Sequence, residues 1–181
     1  MLDPKNTIIV IIDVQGKLAQ LMDSSDKLFA NLSILVRGAK LLNIPIVWME
    51  QVPNKLGPTI SEIKDILIDQ KPIIKDVFSC VRNEEFNNQL KRLNPSDIVL
   101  AGIESHICVY QTAMDLLNNK HNVHIVSDAI SSRTSANKEL GIERMVIEGA
   151  IQTSVEMLLF EMQGNAKGER FRQISKLVRY L

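Results

Sequence analysis

The chain has 181 residues, 45% of them hydrophobic and 23% charged, with 21 Lys and Arg against 21 Asp and Glu. These are ordinary globular proportions, and they exclude disordered, collagen-like and coiled-coil classes. A net charge of zero lacks the basic excess of a general nucleic-acid binder. No apolar run reaches the roughly 18 residues of a membrane helix, so neither nucleic acid nor membrane is an expected partner.

In chain order, residues 7–12 (TIIVII) form a continuous β-branched run, the pattern of a strand buried on both faces. Residues 26–42 space Leu28, Leu32, Leu35, Val36, Ala39 and Leu42 along one helical face. Residues 44–49 (IPIVWM) return to strand character, and 51–58 (QVPNKLGP) read as a loop from their Pro and Gly. A short helix is predicted over 60–69, a short strand over 72–74, a helix over 83–93 and a strand over 97–102. A helix then runs to about 118, a strand covers 122–126, and 135–163 is mostly helical. Residues 169–180 make a closing helix. Its face of Phe171, Ile174, Val178 and Leu181 predicts docking on the same chain or on a neighbouring subunit.

No repeat or Gly/Ser linker divides the chain, so one domain over 1–181 is expected. The N-terminal MLDPKNTIIVIID lacks the cleavage pattern of a secretory signal, and Cys80 and Cys108 make no disulfide framework. A reduced, cytoplasmic protein is the expectation.

Strands alternating with helices predict a three-layer α/β/α fold, Rossmann-like, with a central, mainly parallel sheet and right-handed crossovers. Ligands in such sheets bind beyond the carboxyl ends of the strands. The strand ends deliver Asp13, then Glu50 and Gln51, then Lys75, then the turn Ile103-Glu104-Ser105 with Cys108, and finally Asp128.

Cys108 falls in the first turn of a helix, where unpaired N–H groups and the macrodipole favour thiolate; the alternative is a small buried residue. Asp13 is either a turn-former or a base for the thiol. Lys75 is either solvated or holds both neighbours charged. Three complementary groups at adjacent strand ends favour the functional readings. Gln15 and Gln51 are candidates to line the pocket. Glu104 either meets substrate or braces its turn, Phe78 is an apolar wall or plain core, and Trp48 is core. His106 lines the pocket or serves structure. Cys80 is a buried small residue, with no CxxC motif to make it a redox partner. His121 and His124 lack the other ligands of a zinc site. No G-x-G-x-x-G or P-loop is present, so neither metal nor cofactor is expected.

Asp13 in IIDVQ, Lys75 in IIKDVFS and Cys108 in GIESHICV resemble the Asp–Lys–Cys triad of the isochorismatase-like cysteine hydrolases. The set EQVPNKLGPT (50–59), KDVFS (75–79), GIESHIC (102–108) and SDAISSR (127–133) is similar to the isochorismatase-domain-containing subgroup. The resemblance implies that Cys108 is the nucleophile on a small amide or ester, with Asp13 as base and then acid. It implies that Lys75 stabilises the thiolate and orients Asp13. It further implies a cis peptide at Ile103-Glu104, an oxyanion hole from the N–H groups of Glu104 and Cys108, and a homo-oligomer. Presence of the cysteine favours acyl transfer over vinyl-ether hydrolysis. The metal-binding histidines of the related nicotinamidases are missing from WMEQVPNKLGPT. Two other expectations stand beside this one: an inactive binding or assembly module of the same fold, and a nuclease.

Overall fold

The computed structural model describes residues 1–179 and 181. Its strands are β1 Thr7–Ile12, β2 Ile46–Gln51, β3 Ile73–Lys75, β4 Asp97–Ile103, β5 Asn122–Ser131 and β6 Ile151–Thr153. They form one six-stranded parallel sheet in the order β3-β2-β1-β4-β5-β6. The helices are α1 Gly16–Gln20, α2 Ser25–Leu41, α3 Pro53–Leu56, α4 Ser61–Lys64, α5 Glu84–Leu93, α6 Tyr110–Asn118, α7 Ser135–Ile147, α8 Val155–Gln163 and α9 Gly168–Val178.

Every residue of β1 is buried, as its unbroken apolar run implies. Alternate side chains feed two cores. Ile9 and Ile11 pack with Leu32 and Leu35 of α2, Leu158 and Leu159 of α8, and Ile174 of α9. Ile8, Val10 and Ile12 pack with Phe86 of α5, Leu116 of α6 and Met145 of α7. Each fully buried Leu or Ile contributes about 1.5–3 kcal/mol. The predicted three-layer α/β/α architecture is the observed one.

The closing helix docks on its own chain. Ile174 and Val178 enter the first core, and the Phe171 and Phe160 rings sit 6.2 Å apart. Tyr180, predicted to lie in this helix, falls outside the described residues. No helix among the described residues is long and apolar enough to cross a membrane.

Several predicted elements need correction. The stretch 135–163 is mostly helical as expected, but it holds an unpredicted strand: Gly149, at φ 108°, follows α7, and β6 pairs with β5 before α8 begins. Ile151 and Gln152 are exposed on this edge strand, so no buried apolar run announces it. β5 continues to Ser131 rather than ending at 126, and the helix predicted over 60–69 contracts to Ser61–Lys64. The loop predicted over 51–58 holds α3, and α1 was not predicted. Both are single turns, too short for a periodic signal.

The sheet order reverses around β1, with β2 on one side and β4 on the other. A reversal of this kind leaves a crevice at the carboxyl ends of the flanking strands. Gly102, at φ 119°, brings β4 against β1 at that point. A Cβ there would lie 2.2 Å from the Ile12 carbonyl oxygen.

Candidate active site

Three strand ends meet at the crevice. β1 is followed by Asp13, whose φ of 54° is tolerated by aspartate better than by most residues. In β3, the period-two alternation that buries Ile73 and exposes Ile74 turns Lys75 inward. The β2–β3 register sets Gln51 beside Lys75. Lys75 Nζ donates to Asp13 Oδ2 at 2.6 Å, to Gln51 Oε1 at 2.7 Å, and to the Val77 and Phe78 carbonyls at 3.1 and 3.2 Å. The Lys75 and Asp13 side chains are 0% and 3% exposed.

Beyond β4 the Ile103–Glu104 peptide is cis. Residues Ser105–Val109 form a π-helical turn that leads into α6. Val109 N donates to Glu104 O at 3.2 Å, the five-residue reach of such a turn. Cys108 lies in this turn rather than in the first α-helical turn expected from the sequence. Its Sγ donates to Gln51 Oε1 at 3.4 Å. Asp13 Oδ1 is buried and has no hydrogen-bond partner. Gly141 of α7 presses on the turn from behind, where a Cβ would meet Ser105 Oγ at 2.4 Å and His106 N at 2.8 Å. Ser105 Oγ donates to the Lys138 carbonyl at 2.9 Å, which ties the turn to the same helix.

Burial pushes the Asp13 carboxyl above its ordinary value, against the pull of Lys75. Burial, and then the neighbouring Asp13 charge, push the Cys108 thiol well above the ordinary thiol range. This corrects the expectation of a lowered thiol pKa: loss of water outweighs the Lys75 charge, and Lys75 donates to Asp13 instead of to sulfur.

A cleft of about 90 Å³ opens over this group. Its walls are Leu18, Leu56, Phe78, Ile103 and Ile107, and its polar lining is Asp13, Gln51, Glu104 and Cys108. Phe78 is 52% exposed, so it is a wall and not core. Glu104 braces its turn: its Oε2 accepts from Arg133 N and Nε, both at 3.1 Å. Gln15 does not line the cleft. It is fully buried behind it, donating to the Gln51 and Gly57 carbonyls and accepting from Gln51 N. It therefore fixes the backbone that carries Gln51.

Other predicted residues lie apart from this group. Asp128 Oδ1 accepts from Val155 N at the start of α8. Trp48 is core, with its Nε1 donating to Thr59 Oγ1, and Glu50 Oε1 accepts from Thr59 N and Oγ1. His106 Nδ1 bonds Ser132 Oγ, and His124 Nε2 bonds Asp97 Oδ1. Cys80 is fully buried, pushed up to about 12 by burial, and free like Cys108. Among the described residues, no three His, Cys, Asp or Glu side chains group as a metal site would require.

Sequence reasoning missed Leu18, Leu56, Ile107, Arg133 and Gly141. Leu18 and Leu56 belong to the two unpredicted single-turn helices, so the same weak signal hid both. Ile107 lies inside the quoted cysteine motif and could have been read as a neighbour of the sulfur. Arg133 ends the quoted SDAISSR segment, but only the fold pairs it with Glu104.

A family model for the isochorismatase domain matches residues 7–157. The chain is 36% identical over 180 residues to the secreted isochorismatase effector Isc1 of Phytophthora sojae, covering 97% of this chain and 86% of that protein. It is 32% identical over 178 residues to isochorismatase domain-containing protein 2 of Danio rerio, covering 98% and 89%. A solved structure of MAR1 ribonuclease from Caenorhabditis elegans matches with a TM-score of 0.91 at 32% identity, covering 98% of this chain and 92% of that one. With the sheet order, the strand-end cluster and these matches in agreement, the chain belongs to the isochorismatase family and shares its hydrolase-type fold.

Proposed function

We propose that the chain is a metal-independent cysteine hydrolase of small amides or esters, working as one domain through a covalent acyl-enzyme on Cys108. One observation carries the reading. A buried, unpartnered Asp13 Oδ1 shares a small cleft with the Cys108 thiol, while Lys75 occupies the other Asp13 oxygen. A base held this way has its free oxygen left for the thiol proton.

In the first half-reaction Sγ attacks the carbonyl carbon as its proton passes to Asp13. The tetrahedral oxyanion faces the N–H groups of Glu104 and Cys108, and loss of one such donor typically costs about a hundredfold or more in rate. Collapse breaks the carbonyl–leaving-group bond, and the Asp13 proton goes to the departing nitrogen or oxygen. In the second half-reaction water attacks the thioester, its proton goes to Asp13, and the acid leaves as the thiol is restored. Lys75 keeps Asp13 in place and balances its charge in each ionised step.

Two free cysteines support a reducing, cytoplasmic setting. Exposed Ile147 on α7, Ile151 on the β6 edge and Met157 on α8 support a homo-oligomer that covers them. The test is turnover of a panel of small amides and esters by wild type and by Cys108→Ala. We expect activity to fall by about a thousandfold or more in the folded variant. Retained turnover contradicts the mechanism, and absence of any turnover in wild type favours the binding-module reading.

A second reading, ribonuclease, is supported by the 32% identity to the protein named MAR1 ribonuclease. RNA cleavage by purified wild type that disappears in Cys108→Ala would establish it in place of acyl transfer.

A further inference from the structure

We propose that the cleft selects a neutral, compact, apolar acyl group and turns away substrates that carry a carboxylate or phosphate beside the reacting carbonyl. The inference rests on Cys108 being the nucleophile and adds the class of substrate it meets.

The first support is space. The cleft measures about 90 Å³, well under the roughly 300–1,000 Å³ of sites that hold drug-sized ligands. It has room for a short acyl chain and not for a ring bearing several substituents. The second support is the lining. Leu18, Leu56, Phe78, Ile103 and Ile107 enclose it, and the polar groups are confined to Asp13, Gln51, Glu104 and Cys108. Apolar walls favour an acyl group that gives up little hydration on entry.

The third support is charge. Lys75, the buried cation beneath the cleft, has its ammonium taken up by Asp13, Gln51 and two carbonyls. Arg133, the cation beside it, donates its backbone N and Nε to Glu104 and is not among the lining residues. Glu50 sits buried at the end of β2 and forms no ion pair among the described residues. The two cations are thus paired with Asp13 and Glu104, the two carboxylates of the lining. An anionic acyl group would meet like charge and no cation among the lining residues, a repulsive device of the kind that enforces selectivity.

Two alkylating agents of nearly equal size separate charge from shape. Iodoacetamide is neutral and iodoacetate is anionic, and each loses iodide to the attacking sulfur. The full-length chain is offered both in competition at mildly alkaline pH, and the Cys108 adducts are quantified by mass spectrometry. The same chain unfolded in urea gives the reference ratio for the same peptide. We expect the folded chain to raise the iodoacetamide-to-iodoacetate ratio by about tenfold or more. A folded ratio equal to or below the unfolded one overturns the charge selection and leaves the nucleophile standing.

Size is read with iodoacetanilide, which is neutral but bulkier. Phe78→Ala should speed its reaction at Cys108 by about tenfold relative to iodoacetamide. An unchanged ratio overturns the size selection. A folded chain whose Cys108 resists all three reagents, while the unfolded chain reacts, overturns the nucleophile and this inference together.

Discussion

At the amino ends of β4 and β5, Asp97 Oδ1 and His124 Nε2 hydrogen-bond at 3.0 Å. At the carboxyl ends of β1 and β3, Asp13 Oδ2 accepts from Lys75 Nζ at 2.6 Å. Each pair joins a carboxylate to a nitrogen base across strands, yet the two acids move in opposite directions. Burial raises Asp97, but hydrogen bonds from Ser96 and His124 outweigh it and hold the acid below its ordinary value. Burial of Asp13 is deeper and wins over Lys75, so that acid is raised. Asp97 also has water on one side, with its side chain 18% exposed against 3% for Asp13. The first pair stabilises strand ends. The second sets a buried carboxyl of raised proton affinity, with one oxygen unpartnered, next to a thiol.

The largest effect that separates the two ends is expected from Asp13→Asn. Turnover should fall by about a thousandfold, the scale of losing a general base. Cys108 alkylation should shift to lower pH at the same time, because the Asp13 charge is one cause of the raised thiol. Rate constants for hydrolysis and for alkylation against pH check both. Turnover that survives in Asp13→Asn would show that Asp13 does not serve as base.

A smaller effect comes from behind the turn. In Gly141→Ala the added methyl would meet Ser105 Oγ at 2.4 Å and the Ser105 carbonyl carbon at 2.7 Å. Accommodating it moves the segment that carries Cys108. We expect about a hundredfold loss in kcat/KM, in line with an ångström-scale displacement of a reacting group. A stability loss of about 1–3 kcal/mol should accompany it, measured by urea unfolding. Lost stability with unchanged kinetics would show that the turn tolerates movement.

Asp97→Asn is the smallest. A carboxyl depressed in the folded state contributes stability above its unfolded value of 3.8, and that contribution disappears as pH falls through the folded value. The substitution should therefore cost about 1 kcal/mol at neutral pH and nothing once pH falls below the folded value. Turnover should not change. A loss of turnover would break the contrast between the two ends.

Much of this arrangement is legible in the residues. The run TIIVII places β1, and the change of pattern at Asp13, Lys75 and Cys108 places three groups at strand ends. What stays hidden depends on contacts between distant segments. Gln51 accepts from Lys75 and from Cys108, residues 24 and 57 positions away, and no local pattern encodes that. Gly141 reads as an unremarkable helical glycine until the π-helical turn is packed on it. The direction of the thiol shift is not legible in the sequence, because the helix-end argument is local whereas desolvation of Cys108 depends on every wall around it. β6 escaped because two of its three residues face solvent.

The central claim is the covalent intermediate on Cys108, and acid-quench mass spectrometry of the working enzyme tests it most directly. With a small neutral activated ester, the Cys108 peptide should carry the mass of the acyl group during turnover and lose it once substrate is exhausted. The Cys108→Ala chain should carry no adduct and show no turnover. Hydrolysis that proceeds without an adduct, and that persists in Cys108→Ala, would contradict the account.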